Sequence, residues 1–182
     1  GFVVNFTGRI NQEKGIVELV DAICLLRNKG LDIFLLLVGP IDERSGLDET
    51  FLQKLKEKKF IARIGYTRTP ELYFGVSDIL CLPSYREGFG GVVIEAALMG
   101  IPAVGSNIHG LQDAIIHNVT GTLVPVGNVG KLADAIERHV HERADLRAMG
   151  RQAQARALIH FTQKFVTGLI EAEYQKRVAA KR

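Results

Sequence analysis

The chain has 182 residues, 47% of them hydrophobic and 24% charged, with a formal net charge of +3. That balance supports a sizeable core and excludes a disordered chain, while positive charge this mild and dispersed, with the KEKK run at 56–59 read as a solvated helix face, argues against a nucleic-acid partner. No run of eighteen apolar residues is present to span a membrane, and Cys24 and Cys81 fall in apolar patterns as small buried hydrophobes rather than as a disulfide framework.

In chain order, residues 2–7 (FVVNFT) read as a strand entered directly from the first residue, as in a piece of a longer chain. Ile16, Val20, Ile23 and Leu26 recur at helical spacing, and Gly30 supplies a stop. Residues 33–38 (IFLLLV) form a continuous apolar run, the pattern of a strand covered on both faces. A mostly polar helix at 48–58 and a short strand near 60–64 follow. Thr69-Pro70-Glu71 then reads as an N-cap, a first-turn proline and a first-turn acid. ILCL at 79–82 is a strand ending at Pro83, and a helix from about 91 stops at Gly100. IPAVG at 101–105 and TLVP at 122–125 are the last strands, with a short helix at 111–116 between them. From 129 the pattern is helical, with breaks expected near 142–144 and at Gly150. Residues 155–182 read as a terminal helix whose apolar stripe, Leu158, Phe161, Phe165 and Leu169 with Val166 and Ile170, needs a surface; its first half is expected to pack on this domain.

Alternating strands and helices predict an α/β fold: a doubly wound, mostly parallel six-stranded sheet with helices on both faces, residues 1–182 forming a single domain. Ligands of such sheets sit beyond the C-terminal ends of the strands. The residues there are Gly8, Arg9 and Lys14, then Gly39, then Ser84 to Gly91, then Ser106 to Gly110.

Arg9 and Lys14, in GRINQEKG, place a forked guanidinium and a mobile ammonium at a helix mouth, suited to a diphosphate. The same loop reads equally as a solvated basic turn, and it matches neither a Walker loop nor a GxGxxG fingerprint. REGFGGVVIEA at 86–96 says more. If Gly90 or Gly91 begins a helix, Gly88, Phe89 and Gly90 offer unobstructed backbone amides to an anion or a hydroxyl-rich sugar. Glu87 and Glu95 lie eight positions apart, at most roughly 12 Å if all were helical. They suit two anchor points on a long ligand better than a glycosidase pair, and a carboxylate buried within VVIEAAL would need a partner. A surface-facing glutamate is the alternative. His109 has no partner in sequence that would make a triad, and no histidine spacing suggests a metal site.

Taken together, the GRI…KG loop, Glu87-Gly88-Phe89-Gly90 with Glu95 after a Pro-Ser strand end, and the Gly121–Pro125 strand resemble the C-terminal nucleotide-sugar domain, a Rossmann-like lobe, of the GT-B glycosyltransferases of family 4. The resemblance implies that Arg9 and Lys14 hold the donor diphosphate, that Glu95 binds the ribose hydroxyls, and that Glu87 lies beside the donor sugar among the amides of Gly88, Phe89, Gly90 and Gly91. By the same resemblance Gly8 opens the diphosphate loop, backbone near Arg63 and Ile64 holds the base, and Gly39 with Pro40 closes the base pocket. It further implies a retaining transfer from a UDP or GDP sugar to an acceptor hydroxyl, without a catalytic metal or a permanently bound cofactor, in glycan or polysaccharide synthesis. The partners implied are the nucleotide-sugar donor, an N-terminal acceptor lobe absent from these residues, and an acceptor sugar or lipid-linked glycan. The location implied is cytoplasmic, with the full-length enzyme peripheral at the inner membrane surface. The chain departs from the pattern at Asn128, where an acid commonly follows the P-x-G of the last strand; asparagine can still cap the helix that follows, so little loss is expected. Rival readings are the lobe of a nucleotide-sugar epimerase of the same fold and a non-catalytic assembly domain.

Overall fold

A computed structural model describes residues 1–42 and 44–179. Six parallel strands form the sheet: β1 (Phe2–Thr7), β2 (Ile33–Val38), β3 (Ile61–Gly65), β4 (Ile79–Leu82), β5 (Ala103–Ser106) and β6 (Gly121–Val124). Their order across the sheet is β3-β2-β1-β4-β5-β6. The chain therefore runs outward from β1 through β2 to β3, crosses back, and runs outward the other way from β4. With right-handed crossovers, that reversal puts the connecting helices on opposite faces. Helix α1 (Ile16–Asn28) packs against α6 (Val129–His141), and Lys54 of α2 (Glu49–Glu57) reaches Asp21 of α1 at 2.6 Å. On the other face α4 (Gly91–Leu98) packs against α3 (Glu71–Phe74), α5 (His109–Ala114) and α7 (Arg143–His160).

The elements form for local reasons visible in the sequence. Ile16, Leu19, Val20, Ile23 and Leu26 of α1 share a face and are fully buried, each contributing about 1.5–3 kcal/mol. The Gly30 amide then bonds the Arg27 carbonyl at 2.9 Å and ends the helix. Asp48 caps α2 through the Phe51 amide at 2.7 Å, and Asn128 caps α6 through the Lys131 amide at 2.9 Å. The missing acid at position 128 thus costs no cap.

Several boundaries differ from the sequence reading. β5 starts at Ala103 rather than 101, because the Ile101 amide is already bonded to Ala96 at the end of α4 and Pro102 has no donor. β6 stops at Val124, before Pro125. Helix α5 begins at His109 rather than 111, since the Ile108 carbonyl accepts from the Leu111 and Gln112 amides. Pro70, not Thr69, caps the four-residue α3; the Thr69 hydroxyl is turned to Thr67. Nor does Gly150 break a helix. It lies within α7, where a Cβ would run into the Gly100 carbonyl oxygen, so glycine lets α7 seat closely on the turn after α4.

The chain's end also departs from expectation. Residues 155–182 are not one helix: α7 ends at His160, and α8 (Gln163–Ala179) begins after a break at Phe161-Thr162. Of the expected stripe, Phe161 packs on this domain, partly buried against the core and 5.4 Å from the Phe89 ring, and the rest does not. Leu158, Phe165, Val166, Leu169 and Ile170 are exposed, and α7 buries Leu146, Gly150, Ala153 and Ala157 instead. Among the described residues no helix is long and apolar enough to cross a membrane.

Candidate functional site

The strand order makes β1 and β4 neighbours whose outgoing loops diverge to opposite faces, so the crevice of this sheet opens between the loop after Thr7 and the loop after Leu82. The first loop is bound to the one after β2: the Gly8 amide bonds Val38 at 2.9 Å, Ile10 bonds Pro40 at 2.8 Å, and Asp42 bonds Ile10 at 3.1 Å. Gly39 is pressed against Gly8 so closely that a Cβ would strike the Gly8 carbonyl oxygen. Gly39 also faces Gly65 at the end of β3, so the backbone at Arg63 and Ile64, both exposed, ends near this edge of the sheet.

Asn11 is buried and turns the chain toward the crevice. Its side chain accepts from the Lys14 amide at 3.0 Å, shaping the single 3-10 turn Gln12–Lys14. Gly15 follows in the left-handed region, φ 69°, and abuts the Pro83 carbonyl, with no room for a Cβ. Lys14 is thereby carried to the β4 loop. Its Nζ lies 2.5 Å from Glu87 Oε1, which also accepts from the fully buried Ser84 hydroxyl at 2.9 Å. The Lys14 and Glu87 side chains are only 22% and 12% exposed, so this pair is sheltered from solvent screening.

The Tyr85 amide joins the two loops again through the Glu13 carbonyl at 2.8 Å, and the Tyr85 hydroxyl reaches Glu18 Oε1 in the first turn of α1 at 2.6 Å. The Glu18 hydrogen bond pushes the Tyr85 phenol above its ordinary range.

Arg9 does not join Lys14. Its side chain is 69% exposed and Nη1 lies 3.2 Å from Asp42 Oδ2. The Asp42 carboxyl is held below its ordinary value, first by the Arg44 amide and further by Asn11 and the Arg9 charge.

Beyond Glu87 the chain enters α4 through Gly90. Gly88 and Gly91 are different from the crowded glycines of this end: neither has a left-handed backbone, and a Cβ on either would meet open space. Neither the fold's packing nor its backbone geometry demands glycine there. Phe89 packs on Phe161, just past the end of α7, with the two rings 5.4 Å apart. Glu95 is exposed, sharing an outer face of α4 with Gly91 and Leu98. Glu95 is therefore not the buried carboxylate in need of a partner that VVIEAAL suggests, since only Val93, Ile94, Ala96 and Ala97 of that run are inside. His109 is exposed at the start of α5.

The structure therefore brings Lys14, Ser84 and Glu87 together, sets Gly8, Gly39 and β3's end side by side, and leaves Arg9 and Glu95 on open surface. Asn11, Asp42 and the Glu18–Tyr85 bond escaped the sequence reading. For Asn11 a signal existed, an asparagine three residues before the lysine whose amide it accepts, as in a capping turn. Asp42 carried none.

The sequence pattern of the family described as "Glycosyl transferases group 1" matches residues 1–156. A D-inositol 3-phosphate glycosyltransferase of Pseudarthrobacter chlorophenolicus is 37% identical over 162 residues, covering 86% of this chain and 38% of the relative. The capsular polysaccharide biosynthesis glycosyltransferase CapM of Staphylococcus aureus is 27% identical over 173 residues, 95% of this chain and 46% of CapM. The crystal structure of Anabaena Alr3699/HepE in complex with UDP and glucose shares the fold, with TM-score 0.86 at 24% identity, over 96% of this chain and 48% of that one. The chain spans less than half the length of these proteins.

Proposed function

Because the chain belongs to the group 1 glycosyl transferases, we propose that it is the donor-binding lobe of a retaining, family 4-type enzyme moving a hexosyl group from a UDP or GDP sugar to an acceptor hydroxyl. The observation that carries the proposal is the meeting of Lys14 and Glu87 across the crevice between β1 and β4, beside the open backbone of Gly88 and Gly91. An ammonium there meets a diphosphate, a carboxylate meets sugar hydroxyls, and bare glycine backbone lets both come near.

In this reading Lys14 keeps Glu87 with one of its three donors and offers the others to phosphate. Arg9 leaves an exposed ion pair worth about 0–1 kcal/mol, a small cost against bidentate contact with a diphosphate. Glu95, one helical turn beyond Gly91, takes the ribose hydroxyls. The backbone at Arg63, Ile64 and Gly39 holds the base, and Gly8 and Gly88 to Gly91 line the phosphate and sugar. Breaking the bond from the anomeric carbon to the diphosphate builds negative charge on the departing oxygen, where both cations act. The acceptor oxygen bonds the anomeric carbon on the face just vacated, and its proton passes to the departing phosphate oxygen. Configuration is retained with no resident metal and no covalent sugar on Glu87.

The acceptor, a sugar or lipid-linked glycan, is held by an N-terminal lobe outside these residues, so the 182 residues alone bind donor weakly and do not transfer it. The whole enzyme works in glycan or polysaccharide synthesis in the cytoplasm, at the inner membrane surface where its acceptor is lipid-linked.

One observation favours a second reading, a non-catalytic assembly domain: Arg9 and Lys14 both have carboxylate partners and Glu95 faces solvent. Calorimetric titration with UDP, GDP and ADP separates the two. The donor lobe binds at least one of them; silence from all three at millimolar concentration supports the assembly domain. An epimerase of the same fold is set apart by the whole enzyme's product, a glycosylated acceptor rather than an altered free sugar nucleotide.

A further inference from the structure

Both protein donors that reach the Glu87 carboxylate converge on a single oxygen. Lys14 Nζ and Ser84 Oγ lie 2.5 and 2.9 Å from Oε1, while among the described residues no donor reaches Oε2. Oε2 is also not a buried orphan, so it keeps contact with solvent. Ser84 is fully buried at the end of β4, which leaves its hydroxyl proton no water to turn to. Its neighbour Tyr85 bonds the Glu13 carbonyl and the Glu18 carboxylate, which ties the loop carrying Ser84 to the segment from Glu13 into α1. Two donors from different loops, one of them two residues past the end of β4, hold the carboxylate plane in one rotation.

We propose that Ser84 is a positioning residue for donor-sugar recognition: by anchoring Oε1 it presents Oε2 of Glu87 as a fixed acceptor for a hydroxyl of the donor pyranose. The proposal rests on the donor-lobe reading and adds a division of labour to it. Lys14 serves the diphosphate and the carboxylate together, whereas Ser84 serves only the carboxylate's orientation. Ser84 therefore determines how strongly a nucleotide sugar is preferred over the bare nucleoside diphosphate. A carboxylate free to rotate spends part of its time with neither oxygen aimed at the hydroxyl, and sugar recognition weakens while phosphate recognition does not.

The test compares two affinities in one protein. UDP with UDP-glucose, and GDP with GDP-mannose, are titrated into the 182-residue chain and into Ser84→Ala, with circular dichroism confirming the fold. For the nucleotide that binds, S84A loses about tenfold in affinity for the sugar nucleotide and less than twofold for the diphosphate. Ser84→Thr, which restores a hydroxyl, recovers the preference. If S84A does not fold, Ser84→Cys, similar in size but a weak donor, carries the same contrast. Equal loss for both ligands makes Ser84 a loop support and overturns the proposal, as does no loss for either. Failure of the unsubstituted chain to bind any of the four ligands overturns the donor-lobe reading and this extension with it. A normal wild-type preference that survives in S84A overturns the extension alone.

Discussion

Replacing Lys14 by alanine tests the site through stability and affinity at once, and the structure sets both magnitudes. The Lys14–Glu87 pair is 22% and 12% exposed, between an open surface pair worth about 0–1 kcal/mol and a buried one whose breakage costs about 3–5 kcal/mol. Lys14→Ala leaves Glu87 with Ser84 as its remaining donor, and a cost of about 1–2 kcal/mol follows, lowering Tm by about 3–6 °C in a chain of this size. Glu87→Gln on the K14A background removes the stranded charge and recovers part of that loss. Affinity behaves differently: a charge-assisted hydrogen bond to phosphate is worth about 1.5–3 kcal/mol, so K14A weakens nucleoside diphosphate binding by about 10–100-fold, and the second substitution does not restore it. Arg9→Ala is the control. With a side chain 69% exposed and a surface partner, it leaves Tm nearly unchanged and weakens binding by about tenfold or less. Differential scanning fluorimetry and calorimetric titration read the two quantities on the same samples. A K14A protein that melts early yet binds as tightly as its parent refutes the placement of the diphosphate, since Lys14 would then be only a structural partner of Glu87.

Two glycines and one histidine supply the remaining predictions. Gly15→Ala places a Cβ against the Pro83 carbonyl with φ at 69°, so urea titration should show a loss of about 2 kcal/mol or more. Gly88→Ala meets open space and should change stability by less than about 0.5 kcal/mol while weakening sugar-nucleotide binding several-fold; unchanged binding would remove Gly88 from the site. His139, buried with Nε2 2.9 Å from the Thr122 hydroxyl, has its imidazole lowered to about 4 by burial and by Arg138. The folded chain keeps it neutral while the unfolded chain takes a proton below about pH 6.5. The resulting stability is whole above that pH and is lost as pH falls toward 4, by about 2–3 kcal/mol in all. His139→Gln should flatten that part of the urea-measured profile, and an unaltered slope refutes the assignment.

How much of this was legible in the sequence depended on range. β2 and β4 stood out because buried parallel strands are apolar throughout, and IFLLLV or ILCL leaves little else to read. Asn128 and Gly30 were legible as helix ends because capping is settled within four residues. Gly150 misled because its purpose is an approach to the Gly100 carbonyl, fifty residues away, that no local propensity records. Glu95 misled in the opposite way, since an apolar neighbourhood in sequence is not an apolar neighbourhood in space on a helix that buries one face.

The site itself shows where the boundary lies. Sequence says which residues follow strands, and ligands of parallel sheets gather there, so Lys14 and Glu87 were both candidates on general grounds. It does not say which strands are neighbours. Lys14 and Glu87 stand 73 positions apart, and they meet because β4 returns to lie beside β1 after two strands have been laid on its other side. Arg9, only five positions from Lys14, goes instead to the loop after β2, because the β1 and β2 loops are joined by three backbone hydrogen bonds before the chain turns at Asn11. Proximity in sequence therefore separated the two cations, and strand order united one of them with a distant acid. Joining Arg9 and Lys14 on one diphosphate requires the Arg9–Asp42 contact to give way, and that contact is more exposed than the Lys14–Glu87 pair.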